Sequence, residues 1–172
     1  MERELVGRAR VGRSGAAYGD KSTTSKCRLG YVVGLTSSAL RGPCHIIQWA
    51  SKFASKVVKS RLGGETYAYS EMVDHVSMLR GFYAHFLNLP PGMVGLVDCK
   101  CLFTHLKSKE ITTGAFLVRH FLASQQTLET QELGNVYWLP GSENPADGLT
   151  KTESDAAGLL RLSEPGTYDP GA

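Results

Sequence analysis

The sequence has few cysteines, no long apolar run and little net charge, and each shortage excludes something. Its four cysteines, Cys27, Cys44, Cys99 and Cys101, nowhere show the C-x-x-C spacing of a zinc ribbon or a redox motif. Cys99, Cys101 and His105 lack a fourth ligand at suitable spacing, so the thiols read as reduced side chains in a reducing compartment. No apolar run is long enough to span a membrane. The N-terminus carries Arg3, Arg8, Arg10 and Arg13 without the apolar stretch of a secretory signal, and Glu2 and Glu4 argue against an organelle transit peptide. These absences point to a cytoplasmic or nuclear protein with no membrane partner. With 19 Lys and Arg against 16 Asp and Glu, the net charge of +3 permits nucleic-acid binding but does not demand it. No internal repeat or low-complexity tract is present. What is present is 42% hydrophobic and 20% charged residues over 172 positions, enough for one packed domain and too apolar for wholesale disorder.

The apolar patterning predicts an α/β chain. Residues 1–13 show no clear period and read as an irregular lead-in. Gly30–Leu35 and Cys44–Ala50 are rich in β-branched and apolar residues and read as strands, the second entered from the turn signal Arg41-Gly42-Pro43. Tyr69, Met72, Val76, Leu79, Tyr83 and Phe86 recur at alternating three- and four-residue steps, predicting a helix over about 64–87 that Asn88-Leu89-Pro90-Pro91-Gly92 stops. Met93–Val97 is a short continuous apolar run, as expected of a strand buried on both faces. A short helix over 100–107, a longer one from Thr112 or Thr113 to about Thr130, a strand over 135–140 and a terminal helix opened by Pro145 complete the order. Such an order suits a mixed sheet, antiparallel at its start and parallel later.

Three acids fall where solvated carboxylates are not expected. Glu65 precedes Tyr69 by four residues and shares the helix's apolar stripe; it reads either as an inward ligand or as a helix-start acid held by the macrodipole. Asp98 ends the strand run, where open α/β sheets present their functional crevice, or else caps the next helix. Asp147 carries the same ambiguity at the last predicted helix. Hard divalent cations such as magnesium take oxygen ligands, and a pair of them can activate water and stabilise the leaving oxygen in phosphodiester hydrolysis. Lys52, Lys56, Lys59 and Arg61 form a basic stretch that reads as a phosphate contact or as a solvated loop.

At these residues the chain resembles the ribonuclease H domain of copia-type long-terminal-repeat retrotransposons, from about Ser14 to Lys151. Gly30-Tyr31-Val32 looks like the family's second strand, and Ile47-Gln48-Trp49-Ala50-Ser51-Lys52 like its third strand and exit. Gly64-Glu65-Thr66-Tyr67-Ala68 resembles the acidic helix start. Val97-Asp98-Cys99-Lys100 resembles the strand-end aspartate motif, with Cys99 where Ser or Asn is usual. The segment from Pro140 to Lys151 (PGSENPADGLTK) is similar to the closing motif and is the most specific of these matches.

The resemblance implies a ribonuclease H-like fold, a five-stranded mixed sheet flanked by helices, over 14–151, with 152–172 as a C-terminal helix or tail. It implies hydrolysis of the RNA strand of an RNA–DNA hybrid by two magnesium ions on four carboxylates, with a reverse transcriptase domain of the parent polyprotein as a partner. Glu65, Asp98 and Asp147 match three of the four carboxylates. The first, which bridges both ions, belongs to a first strand expected at Ser14–Gly19, where its place falls on Gly15; Asp20 is a poor substitute because a turn surrounds it. The resemblance therefore implies an impaired enzyme or, alternatively, a non-catalytic relic of the fold that at most binds nucleic acid, and the chain reads as a fragment or decayed copy of a longer polyprotein. Cellular relatives of the fold add a loop histidine before the last aspartate, and none lies between Leu133 and Asp147; His120 reads as structural or exposed. An integrase-type arrangement is disfavoured because that family places its glutamate last.

Overall fold

The computed structural model describes residues 3–13, 27–37, 44–55, 57–58, 60–88, 91–108, 115–130 and 134–150, with only the backbone described for 3–13 and for Ser37, Leu87, Ala115, Phe116 and Asp147. The elements in chain order are β1 (Arg3–Arg13), β2 (Cys27–Ser37), β3 (His45–Phe53), α1 (Arg61–Leu87), β4 (Gly92–Val97), α2 (Lys100–Ser108), α3 (Ala115–Glu129) and β5 (Asn135–Trp138), followed by short 3-10 turns at Gly141–Glu143 and Pro145–Leu149. The strands join in one sheet in the order β3-β2-β1-β4-β5. β1 pairs antiparallel with β2, and β2 with β3; β1 pairs parallel with β4, and β4 with β5.

The helices cover one face. Leu29, Tyr31, Val33 and Leu35 of β2, Met93 and Val97 of β4 and Val136 of β5 point into a core with Ala68, Tyr69, Met72, Val73 and Val76 of α1, Leu102 and Leu106 of α2, and Leu117 and Phe121 of α3. Strand residues alternate faces, so Val32 emerges on the opposite side, where it packs against Ala146 in the final turn. Val94 and Leu96 also face away from the helices, against Leu139. Gly95 sits beneath the Tyr69 ring, and a Cβ there would lie 3.3 Å from the ring's edge and hydroxyl.

Several expectations need correction. Residues 3–13 are not an irregular lead-in: they form the central strand β1, hydrogen-bonded on both sides. Its arginines hid the apolar content, and a central strand is fixed by two backbone partners more than by an amphipathic pattern of its own. The first strand expected at Ser14–Gly19 is thus displaced toward the N-terminus, and Gly15 lies outside the described residues. α1 begins at Arg61, three residues earlier than expected, because the Ser60 side chain accepts a hydrogen bond from the Gly63 amide at 3.0 Å. It ends on Asn88, whose φ of 53° is the left-handed conformation that closes helices. Phe86, expected on the buried stripe, is 66% exposed. Pro145 opens a single 3-10 turn instead of a terminal α-helix, and 152–172 lies outside the described residues.

Candidate functional site

A row of residues crosses the sheet at right angles to the strands. Ser51 of β3 is paired with Gly30 of β2, and Gly30 with Arg10 of β1. On the far side Ala9 pairs with Val97, so the next residue of β1, Arg10, is level with the next residue after β4, Asp98. Neighbouring strands lie about 4.8 Å apart, which puts the backbones of Gly30 and Asp98 roughly 10 Å from each other.

The turn carrying Asp147 is seated on this row. The Ser51 hydroxyl donates to the Leu149 carbonyl. A Cβ on Gly30 would lie 2.5 Å from the Thr150 methyl, 3.2 Å from Leu149 Cβ and 3.4 Å from the Ala146 carbonyl, so glycine is the residue that lets the turn approach the strand. Asn144, itself buried, holds the turn's start by accepting a hydrogen bond from the Ala146 amide at 3.1 Å. These contacts explain the composition of the closing motif: Asn144 shapes the turn, Ala146 and Thr150 pack it, and Gly30 makes room. The backbone of Asp147 is thereby set over β2 and β1, on the face away from the helices.

Glu65 reaches the same end of the sheet from the helical side. It is 2% exposed and falls on the fifth residue of α1, beyond the first turn where the helix dipole favours acids. The Arg61 guanidinium lies 3.8 Å from its Oε1. Its neighbourhood includes the residue after Asp98. The Cys99 thiol is raised above its ordinary range chiefly by burial, with the Leu102 backbone pulling it down, the Glu65 charge pushing it up and the Arg61 charge lowering it. α1, which carries Glu65, and β4, which leads into Asp98, are in contact. Asp98 is half-buried, and its carbonyl accepts a hydrogen bond from Trp138 Nε1 at 3.1 Å. Among the described residues no group of three or more His, Cys, Asp or Glu side chains is arranged to hold a metal.

Of the basic stretch, Lys52 is paired with Glu71 at 3.0 Å and Arg61 with Glu65, while Lys56 and Lys59 lie outside the described residues. His120 is a packing residue, its ring edge-on to Tyr67 and its Nδ1 3.2 Å from the Ser70 hydroxyl. His105 packs edge-on against Phe121. The residue that the sequence reading missed is Arg10. The available signal was the apolar set Leu5, Val6, Ala9 and Val11, which is strand-like once the arginines between are read as tolerated.

No protein-family model matches this sequence, and no curated protein matches it. Solved structures do. The RNase H1 of the halophilic archaeon Halobacterium salinarum superposes with a TM-score of 0.55 at 15% identity, over 85% of this chain and 93% of that one. LC11-RNase H1, solved in complex with an RNA/DNA hybrid, gives 0.58 at 11% identity over 84% and 92%. The N-terminal RNase H domain of a Mycobacterium tuberculosis protein gives 0.53 at 14% identity over 93% and 96%. At such identities the likeness is one of fold: the chain has the ribonuclease H-like α/β fold.

Proposed function

We propose that this chain is a ribonuclease H-type domain that binds RNA–DNA hybrid but does not sustain two-cation hydrolysis of its RNA strand. Hybrid as ligand is supported by the fold and by the bound hybrid of one structural neighbour. The loss of hydrolysis is carried by one observation, the register that sets Arg10 level with Asp98 in the middle of the site row. The only acid on β1 is Glu4, paired with Gly92 at the other end of β4. Six residues of strand separate Glu4 from Arg10, about 20 Å at the usual rise. Two catalytic cations stand only about 4 Å apart, and magnesium–oxygen bonds are about 2 Å, so Glu4 is far out of reach.

The donor set therefore does not fit a pair of magnesium ions. Glu65, Asp98 and Asp147 remain as the carboxylates available to a single divalent cation. On this reading the vacant ligand position is residue 10, where the sequence reading placed it at Gly15. A copia-type parentage, with a reverse transcriptase domain as partner, rests on the closing motif Pro140–Lys151. Phosphate contacts would come from Lys52, Lys56, Lys59 and Arg61; exposed ion pairs such as Lys52–Glu71 are weak enough to exchange for phosphate. The test is a labelled hybrid incubated with the chain in magnesium. Retention of hybrid that weakens steeply with salt, without cleavage, is the expected result. Cleavage that Asp98→Asn abolishes would overturn the reading.

A further inference from the structure

The face of the sheet that bears the closing turn carries a second feature at its β3 edge. Trp49, Ser51 and Phe53 alternate onto this face, opposite Val32, Gly30 and Arg28. Trp49 is 63% exposed and Phe53 48% exposed. Both large aromatic side chains thus stand in solvent, while Ile46, Ile47, Gln48 and Ala50 of the same strand are partly buried. The Arg28 guanidinium lies over the Phe53 ring, 4.9 Å from its centre. Among the described residues Arg28 has no acidic partner within ion-pair distance. Neither β2 nor β3 contains a carboxylate, and the other cation of this edge, Lys52, turns to the helical side to meet Glu71. Between the two rings, Ser51 ties the strand to the turn carrying Asp147. The rings are four residues apart, about 13 Å along the strand.

We propose that Trp49, Phe53 and Arg28 form a stacking ledge for unpaired nucleotides of a strand continuing from the hybrid bound at the site row. Flat, exposed rings on a sheet accept the faces of bases whatever their identity, and a guanidinium already stacked on one ring offers its charge to the phosphate between. Paired bases present only their edges and sugars, so the ledge selects the single-stranded part of the ligand. The inference rests on the hybrid-binding reading above, and it concerns residues that no part of that reading uses.

The experiment measures binding by the full unmodified chain and fluorescence in its Trp138→Phe variant, which leaves Trp49 as the one tryptophan, with three probes: a blunt RNA–DNA hybrid, the same hybrid with a single-stranded DNA tail, and oligothymidylate alone. The tailed hybrid is expected to quench Trp49 fluorescence and to bind more tightly than the blunt one. Trp49→Ala or Phe53→Ala should each weaken tailed binding by about 5- to 150-fold, the range of one base–aromatic stack, and leave blunt binding little changed. Trp49→Phe, which keeps a ring, should restore most of the loss and guards against a folding defect. Blunt binding with no gain from the tail and no quenching overturns the ledge and leaves the hybrid reading intact. Failure to bind either hybrid overturns the hybrid reading, and the ledge is then decided by oligothymidylate: quenching supports it, none rejects it. Self-association of the chain that Trp49→Ala abolishes, without quenching by any probe, assigns the rings to a second copy and overturns the proposal.

Discussion

The two faces of the sheet do different work. On the helical face, three helices bury a continuous core, and even the glutamate there is sealed to 2% exposure. On the opposite face the closing turn covers part of β1 and β2, and Trp49 and Phe53 stand in solvent beside it. The first face holds most of the core, and the second exposes two large aromatic rings. The site proposed above lies where they meet, at the strand ends, bordered by the helix that carries Glu65, the end of β4 before Asp98 and the turn on the open face.

That division makes mutational cost depend on the face. Phe121→Ala on the helical face removes a ring that is 1% exposed and should destabilise the fold by about 3–5 kcal/mol. Trp49→Ala removes a larger ring from the open face and should change stability by no more than about 0.5 kcal/mol. Urea unfolding of the two variants measures the contrast directly, and equal losses would erase it.

A smaller effect is expected where the closing turn touches the sheet. Gly30→Ala forces a methyl into the space of the Thr150 methyl and should cost about 1–3 kcal/mol as an overpacked contact. Thr150→Ser removes that methyl while keeping the hydroxyl, so the double variant should recover part of the loss. A thermal-denaturation cycle with no coupling between positions 30 and 150 would show that the turn is not seated on Gly30.

The smallest effect concerns Tyr69, fully buried on the helical face with no hydrogen-bond partner for its hydroxyl among the described residues. Burial pushes the phenol far above the ordinary tyrosine range. The unfolded chain loses this proton near pH 10 while the folded one keeps it, so the stability it contributes is full below pH ~10 and is lost as pH rises further. Tyr69→Phe should be neutral or stabilising by about 1 kcal/mol at neutral pH and should flatten the alkaline decline. A loss of several kcal/mol would mean that the hydroxyl is satisfied, and an unchanged alkaline slope that the phenol ionises as readily in the folded chain as in the unfolded one.

Legibility in the sequence also followed these regions. The helical face was readable because Tyr69, Met72 and Val76 repeat with the period of a helix that buries one side, and Met93–Val97 is apolar throughout. Phe86 broke the pattern: it is exposed and meets only rings of its own helix, Phe82 and His85, among the described residues. The closing motif was readable because Asn144, Ala146 and Thr150 are each required by a short-range contact, and such requirements leave a signature. β1 was unreadable for the opposite reason. Its place is set by backbone pairing with β2 and β4, which any sequence supplies, and its arginines look like those of a solvated segment. Burial of Glu65 could be suspected from its spacing, whereas the row joining Ser51, Gly30, Arg10 and Asp98 exists only once the strands are in register.

The claim that residue 10, and not residue 15, occupies the vacant ligand position is tested most directly by calorimetric titration of magnesium into the unmodified chain, Arg10→Asp and Gly15→Asp, each confirmed folded by circular dichroism. Placing a carboxylate level with Asp98 should strengthen magnesium binding by at least the roughly 10- to 100-fold that even indirect changes at metal sites produce, and Asp98→Asn added to Arg10→Asp should remove the gain. Gly15→Asp should leave the titration as it is in the unmodified chain. A gain from Gly15→Asp with none from Arg10→Asp would contradict the register on which the account stands.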